Sequence, residues 1–389
     1  MPLISRLYPH RFSRPLFPRL DIEEILLACT GDIRIFVEES DFPPSSHYFP
    51  KGITELSIPL RELMLCSGLM QSSASHPMSP SAWGFLLEHY ESLALRPGIL
   101  RYSSHASDWD PRVKQIFSER LSCGIAAWCL WNIDSIVHIA DACEFIGKSG
   151  TGPYAGKSLS GLKLYGKNGK LKPDFFCITS KSECVIVECK GAMGPPSALS
   201  SDIAKGKLQV SNVKPVGVSV REKSGQLVFA TNIRGEAEAP RTGCDSTLNV
   251  VDPEFAEDAI RTEVTSDRIA FMSYGKLLSF SGRQDIYLSL KDGYRFPDDE
   301  VIRRERQLKS RTKFITISET ENFIYGLETH TALELLSRPL EGLSRRISET
   351  TANQIERSRE PEDSSIELPN GFIVIPKIPA NLDALERVR

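Results

Sequence analysis

Residues 171–190 read LKPDFFCITSKSECVIVECK, and this stretch decides the fold of the chain around it. It contains two runs of apolar, β-branched and aromatic residues, at 175–179 and 184–189, separated by the polar sequence SKSE at 180–183. Short runs of this composition on either side of a polar turn are typical of paired strands. The stretch therefore predicts a β-hairpin in the interior of an α/β protein.

Charged residues stand at the open end of this hairpin. Asp174 precedes the first strand, whereas Glu188 and Lys190 end the second. Since side chains alternate along a strand, Glu188 and Lys190 share one face and Cys189 points to the other. Pairing of the strands brings Asp174 beside Glu188, and adjacent carboxylates resist joint ionisation. A hard cation with oxygen ligands, such as Mg²⁺, removes this repulsion. With an ammonium nearby, such a site is suited to phosphodiester hydrolysis.

This arrangement resembles the PD-(D/E)XK nuclease superfamily, which includes restriction endonucleases, junction resolvases and recombination exonucleases. The matching residues are Pro173, Asp174, Glu188 and Lys190, with thirteen residues between Asp174 and Glu188. The resemblance extends over roughly residues 110–235 and implies a restriction-endonuclease-like core, a mixed sheet flanked by helices. It also implies that Asp174 and Glu188 hold Mg²⁺ or Mn²⁺, that Lys190 positions water, and that the substrate is DNA.

A helix is predicted to begin at Asp110-Pro111, an N-cap acid followed by a proline at the first helical position. We expect Glu119 on its buried stripe, between Ile116 and Cys123. An inward-facing carboxylate needs a partner. The resemblance implies that Glu119 joins the metal site from this helix, and the alternative is an ion pair with an arginine at the protein boundary.

A second helix is expected at 198–210, with Asp202, Lys205 and Gln209 on its polar face. The resemblance implies that Gln209 or Lys205 lies near the metal. A first core strand is predicted at 135–140, and between it and the hairpin residues 147–169 are rich in glycine and lysine. These residues either bind a phosphate backbone or form a solvated flap.

The composition divides the chain into three parts. Residues 1–105 are expected to form an N-terminal α+β accessory region, 106–250 the nuclease-like core, and 251–389 a mainly helical region. In the last part, the periodicity predicts helices at 253–262, 266–280 and 297–311.

The overall composition is that of a globular protein of 389 residues with a net charge of −3, so any nucleic-acid surface must be local. Nine cysteines without metal-ligand spacing are typical of a reduced, cytoplasmic protein. The longest apolar stretches are too short to cross a bilayer, so no membrane partner is expected.

The sequence therefore predicts a metal-dependent DNA nuclease, with a restriction or phage-defence system as one setting. The alternative is a non-catalytic nucleic-acid or protein-binding scaffold on the same core. Degenerate members of the superfamily usually lose the acid or the lysine, and the presence of both acids and the lysine favours an enzyme. A homodimer and a regulatory protein partner both stay open.

Overall fold

The computed structural model describes ten segments of the chain, and every structural statement below concerns these residues. They are 31–42, 47–72, 98–146, 172–195, 197–236, 245–256, 259–307, 313–319, 323–352 and 365–376. The glycine- and lysine-rich segment 147–169 lies outside them.

A mixed sheet lies at the centre of the described residues. The strands up to residue 251 are β1 (Asp32–Ser40), β2 (Glu55–Pro59), β3 (Gly98–Ile99), β4 (Arg101–Tyr102), β5 (Ile136–Asp141), β6 (Phe175–Thr179), β7 (Cys184–Met193), β8 (Val213–Val216), β9 (Gln226–Gly235) and β10 (Thr247–Val251). All except β8 join one nine-stranded sheet in the order β2-β1-β10-β9-β7-β6-β5, with β3 beside β1 and β4 beside β9. The α/β class is thus confirmed.

The predicted hairpin is formed by β6 and β7, which pair antiparallel from Phe175↔Val187 to Ile178↔Cys184. The second strand is longer than expected, because β7 continues to Met193 alongside its parallel neighbour β9. With neighbours on both edges, β7 is a central strand. Its residues from Cys184 to Cys189 are all buried, which explains their nearly continuous apolar sequence.

The first three helices are α1 (Leu60–Gln71), α2 (Pro111–Asn132) and α3 (Ser197–Ser211). Helices α2 and α3 cover opposite faces of β7, and α1 packs against α2. The backbone of α2 at Ser118 reaches Gly191 of β7, while Gly206 of α3 lies against the Glu188 side chain. Since Glu188 and Gly191 point to different faces, the two helices enclose the strand from both sides.

The predicted start of α2 is confirmed, since the Asp110 carboxylate accepts a hydrogen bond from the Arg112 amide at 2.8 Å. The predicted buried stripe is wrong at its N-terminal end. Ile116 is 44% exposed, whereas its neighbour Phe117 is 1% exposed. Each residue advances about 100° around a helix, so anchoring at Phe117 turns Glu119 outward.

The region before residue 105 is not separate from the central sheet. β1 pairs parallel with β10, from Phe36↔Thr247 to Ser40↔Val251, and β2 pairs antiparallel with β1. These pairings join residues far apart in the sequence, so local patterns give no signal for them.

The C-terminal region is predicted to be mainly helical, and its described helices do contain more residues than its strands. It contains a five-stranded sheet, ordered β12-β13-β14-β16-β15. The strands of this region are β11 (Ile260–Glu263), which pairs with β8, and β12 (Glu305–Gln307), β13 (Lys313–Glu319), β14 (Phe323–Glu328), β15 (Ile366–Glu367) and β16 (Phe372–Pro376). Short apolar runs of four to seven residues do not distinguish a strand from a buried helical turn.

Five helices accompany this sheet: α4 (Ser266–Phe280), α5 (Gln284–Lys291), α6 (Asp298–Ile302), α7 (Thr329–Leu336) and α8 (Leu343–Ala352). The prediction of a helix at 266–280 is confirmed, but the one at 297–311 stops at Ile302. The strand β11 lies where the helix at 253–262 was expected. Among the described residues, no helix has both the length and the apolar character to cross a bilayer.

The contact between α2 and β7 gives a test of the fold. A Cβ added at Gly191 would lie 2.0 Å from the carbonyl oxygen of Ser118, so Gly191→Ala must push the helix off the sheet. We expect it to lower the free energy of unfolding by about 3 kcal/mol. Gly52→Ala is the matched control, because Gly52 has a positive φ of 86° and open space around it. Backbone strain alone should make that variant about 1 kcal/mol less stable. Urea denaturation measures both, and equal losses would contradict the close packing.

Candidate active site

Glu188 and Lys190 meet on one face of β7, as their alternation predicts. The Lys190 Nζ donates a hydrogen bond to Glu188 Oε1, and the Glu188 side chain is 1% exposed. The Lys190 side chain is 19% exposed, so its ammonium lies between the buried acid and the solvent. Helix α3 closes this face, with Gly206 leaving room for the Glu188 side chain.

Asp174 is fixed to the same end of the hairpin by its backbone and its side chain. Its amide donates to the Val187 carbonyl at 3.0 Å, and its own carbonyl accepts from the Ala142 amide at 2.9 Å. Its Oδ2 accepts from the Cys189 amide at 2.8 Å. These three bonds place the carboxylate between the residue pair Glu188 and Lys190 on one face and Cys189 on the other.

The two carboxyl groups hold protons more tightly than usual. Burial raises the pKa of Asp174 to about 6, although the Cys189 amide and Lys190 act in the opposite direction. Burial and the charge of Asp174 raise the pKa of Glu188, again against the effect of Lys190. Burial lowers the pKa of Lys190, but the attraction of Glu188 and Asp174 outweighs this and raises it overall. One ammonium therefore faces two acids, and the site carries an excess of negative charge when both acids are ionised.

An unsatisfied oxygen shows where a cation would fit. Glu188 Oε2 is buried, and no described residue donates a hydrogen bond to it. A buried acceptor without a donor is destabilising by about 1–3 kcal/mol, and more when it carries charge. A hard divalent cation held between Asp174 and Glu188 would remove both this deficit and the repulsion between the acids. The donor set of carboxylate oxygens fits Mg²⁺ or Mn²⁺.

Glu119 lies at the rim of the site rather than inside it. Its side chain is exposed and accepts a hydrogen bond from Gln115 Nε2 at 2.9 Å. Its backbone amide borders Gly191, and its charge contributes to the raised pKa of Asp174. The structure thus brings Glu119 near Asp174, but it does not bury it in the cluster as the sequence pattern indicated.

Gln209 reaches the site indirectly. Its Nε2 donates to the Lys172 carbonyl at 2.6 Å, two residues before Asp174, and Gln209 is 8% exposed. This contact supports a positioning role for Gln209, because it fixes the chain that enters β6. The other residue considered on α3, Lys205, has a side chain that is 64% exposed and pairs with Asp202 at 3.0 Å.

Sequence reasoning missed a second charged pair next to the site. Asp141, the last residue of β5, lies opposite Phe175 and raises the pKa of Asp174. Its Oδ1 accepts from Lys276 Nζ of α4 at 2.5 Å, and the Lys276 side chain is 3% exposed. Asp141 follows a predicted strand and could have been found from its position. Lys276 could not, because only the tertiary fold brings α4 to β5.

No family model, curated protein or solved structure matches this chain. The interpretation of the site therefore depends on the geometry and chemistry of the described residues.

The raised pKa of Asp174 predicts that its ionised carboxylate destabilises the folded protein when no cation is bound. Its folded pKa of about 6 lies above the ordinary value of 3.8 for an aspartate, so the folded state is favoured at low pH and loses that advantage as pH rises through about 6. The full shift corresponds to about 3 kcal/mol, and partial solvent access reduces this. We expect metal-free Asp174→Asn to be more stable than the wild type by about 2 kcal/mol at pH 7.5, with the gap halved near pH 5.

Urea denaturation in the presence of EDTA measures this difference. Asn keeps an oxygen for the Cys189 amide, so the substitution tests charge rather than the hydrogen bond. Asp202→Asn is the matched control, because that side chain is 34% exposed and pairs with the exposed Lys205; it should change stability by less than about 0.5 kcal/mol. A less stable Asp174→Asn protein at pH 7.5 would contradict the raised pKa.

Proposed function

We propose that this chain is a metal-dependent nuclease that hydrolyses phosphodiester bonds in DNA. The observation that supports it most strongly is the convergence of Asp174, Glu188 and Lys190, with one buried oxygen of Glu188 left without a donor.

The two acids would hold Mg²⁺ or Mn²⁺, and the position of Glu119 at the rim allows it to assist. The bound cation would supply Lewis-acid polarisation of a phosphoryl oxygen and neutralise its developing charge. Lys190 is held by Glu188 at the solvent-facing side of the pair. With Glu188 engaged in holding the cation, Lys190 would be the group that orients the attacking water or stabilises the phosphate oxygens.

The charge of the site makes the activity depend on the cation. Asp174, Glu188 and the nearby Glu119 would repel a phosphate backbone, because Lys190 offsets only one of them. With a net charge of −3, the chain also lacks a general attraction for nucleic acid. We therefore expect binding of DNA to be local and to strengthen when the site is metal-loaded.

The proposal of DNA as the substrate, and of a restriction or phage-defence setting, comes from the superfamily resemblance. The large part of the chain outside residues 106–250 motivates a regulatory role for a protein partner or for a second copy of the chain. Cleavage that requires such a partner would support this extension.

A non-catalytic scaffold is the second candidate, and one contact favours it. The Lys190 ammonium already pairs with Glu188, as it would in a purely structural ion pair. A scaffold predicts binding of nucleic acid or protein without any cleavage in Mg²⁺.

The decisive experiment is incubation of the purified chain with plasmid DNA and short DNA and RNA strands, with Mg²⁺ and then with EDTA. We expect cleavage of DNA in Mg²⁺ only. Lys190→Ala and Asp174→Ala should lower it at least about 1,000-fold, because each removes a group that stabilises the transition state. Lys181→Ala, in the exposed turn of the same hairpin, is the matched control and should cleave like the wild type.

Circular dichroism must show that each variant is folded. Equal cleavage by Lys190→Ala and the wild type would reject the assignment, and binding without cleavage by the wild type would favour the scaffold.

The pH dependence gives an independent check. Asp174 must lose its proton to hold a cation, and its pKa is about 6. At limiting Mg²⁺ the cleavage rate should therefore rise about tenfold between pH 5 and pH 7, as the deprotonated fraction does. The raised pKa of Glu188 makes the rise steeper rather than shallower. Initial rates at fixed ionic strength measure this, and a flat profile would contradict the assignment.

A further inference from the structure

A second cluster of ligand groups lies on the other face of β7, where Cys189 points toward α2. Helix α2 is held to this face by the Ser122 hydroxyl, which donates to the Lys190 carbonyl at 2.8 Å. Cys123 is the next residue of the helix, and its side chain is within hydrogen-bonding reach of Cys189. The Asp174 carboxylate, anchored to the Cys189 amide, lies at the edge of the same pair.

The three side chains are close enough to share one ion. One ligand atom from each of Cys123, Asp174 and Cys189 lies within 4.8 Å of the other two. Zinc–sulfur bonds of about 2.3 Å in a tetrahedral site place two sulfurs about 3.8 Å apart.

We propose that Cys123, Cys189 and Asp174 form a binding site for a thiophilic divalent cation of the zinc class. Thiolates prefer Zn²⁺ to Mg²⁺, whereas the oxygen pair of Asp174 and Glu188 has the opposite preference. Three protein ligands with one position left for water or another group are a known arrangement for zinc. Two thiolates would balance the charge of the ion, and binding would release both thiol protons to the solvent.

The sequence could not reveal this site. Cys123 and Cys189 are far apart in the chain and belong to no paired cysteine spacing. They meet because Gly191 lets α2 approach β7 to within backbone contact, two residues after Cys189.

Asp174 belongs to both clusters, which has a consequence that rests on the proposed nuclease function. A thiophilic ion held by Cys123 and Cys189 would compete with Mg²⁺ for the Asp174 carboxylate. Zn²⁺ would then inhibit Mg²⁺-dependent cleavage, and Cys123→Ser should reduce that inhibition without abolishing cleavage.

The test of the site uses Co²⁺ as a spectroscopic substitute for Zn²⁺, because cobalt bound to thiolate absorbs strongly in the near ultraviolet. The full chain, reduced and freed of metal, is titrated with Co²⁺ and then with Zn²⁺. We expect one Co²⁺ per chain with a thiolate-to-cobalt absorption band, which one equivalent of Zn²⁺ removes. Cys123→Ser and Cys189→Ser should each lose most of the band. Cys143→Ser, which changes an exposed cysteine, is the matched control and should keep it.

Absence of the band in the wild type would overturn the proposal, and so would its persistence in Cys123→Ser. Cys189 is buried, so circular dichroism decides whether its serine variant is folded and counts in the test. Cys123 is only partly buried, and its variant supplies the test if the Cys189 variant is unfolded. Lys190→Ala separates the two proposals, since it should lose cleavage and keep the cobalt band.

Discussion

The site depends on the hydrogen bond between the Cys189 amide and the Asp174 carboxylate. Together with the bond from the Asp174 amide to Val187, it fixes the entry of β6 to the exit of β7. Strand alternation then separates the side chains, because the residues on either side of Cys189 point to one face of β7 and Cys189 points to the other. One carboxylate therefore borders an oxygen-rich face toward α3 and a sulfur-containing face toward α2, and the two faces favour different cations.

The packing around β7 explains why the ionised acids destabilise the fold and why the fold can nevertheless tolerate them. A central strand covered by helices on both faces excludes water, so burial raises the pKa of both Asp174 and Glu188. The Lys190 ammonium and the Cys189 amide compensate this burial in part. Proteins bury poorly compensated charges mostly at functional sites, where the stability of the rest of the fold offsets the destabilisation. The extensive sheet and its apolar core provide that offset here.

Whether the sequence predicted a feature depends on how far apart in the chain the interacting residues lie. The hairpin, the cap of α2 and the bounds of α4 were predictable because each depends on neighbouring residues. The burial of Glu119 was predicted wrongly because Ile116 was taken as the anchor of α2 in place of Phe117. The C-terminal sheet, the pairing of β1 with β10 and the meeting of Cys123 with Cys189 connect distant residues. Their signal lies in tertiary packing rather than in periodicity.

The C-terminal region bears directly on the charge of the site. Its helix α4 covers β5, the edge strand of the central sheet, and Ser273 accepts a hydrogen bond from the Ile139 amide at 3.2 Å, just after the irregular pairing of β5 with β6 between Ile136 and His138. The same helix supplies Lys276, which pairs with Asp141 and lies 5.0 Å from the centre of the Phe175 ring. The C-terminal region thus contributes both the cover of the edge strand and the ammonium that pairs with Asp141, the acid whose charge helps to raise the pKa of Asp174.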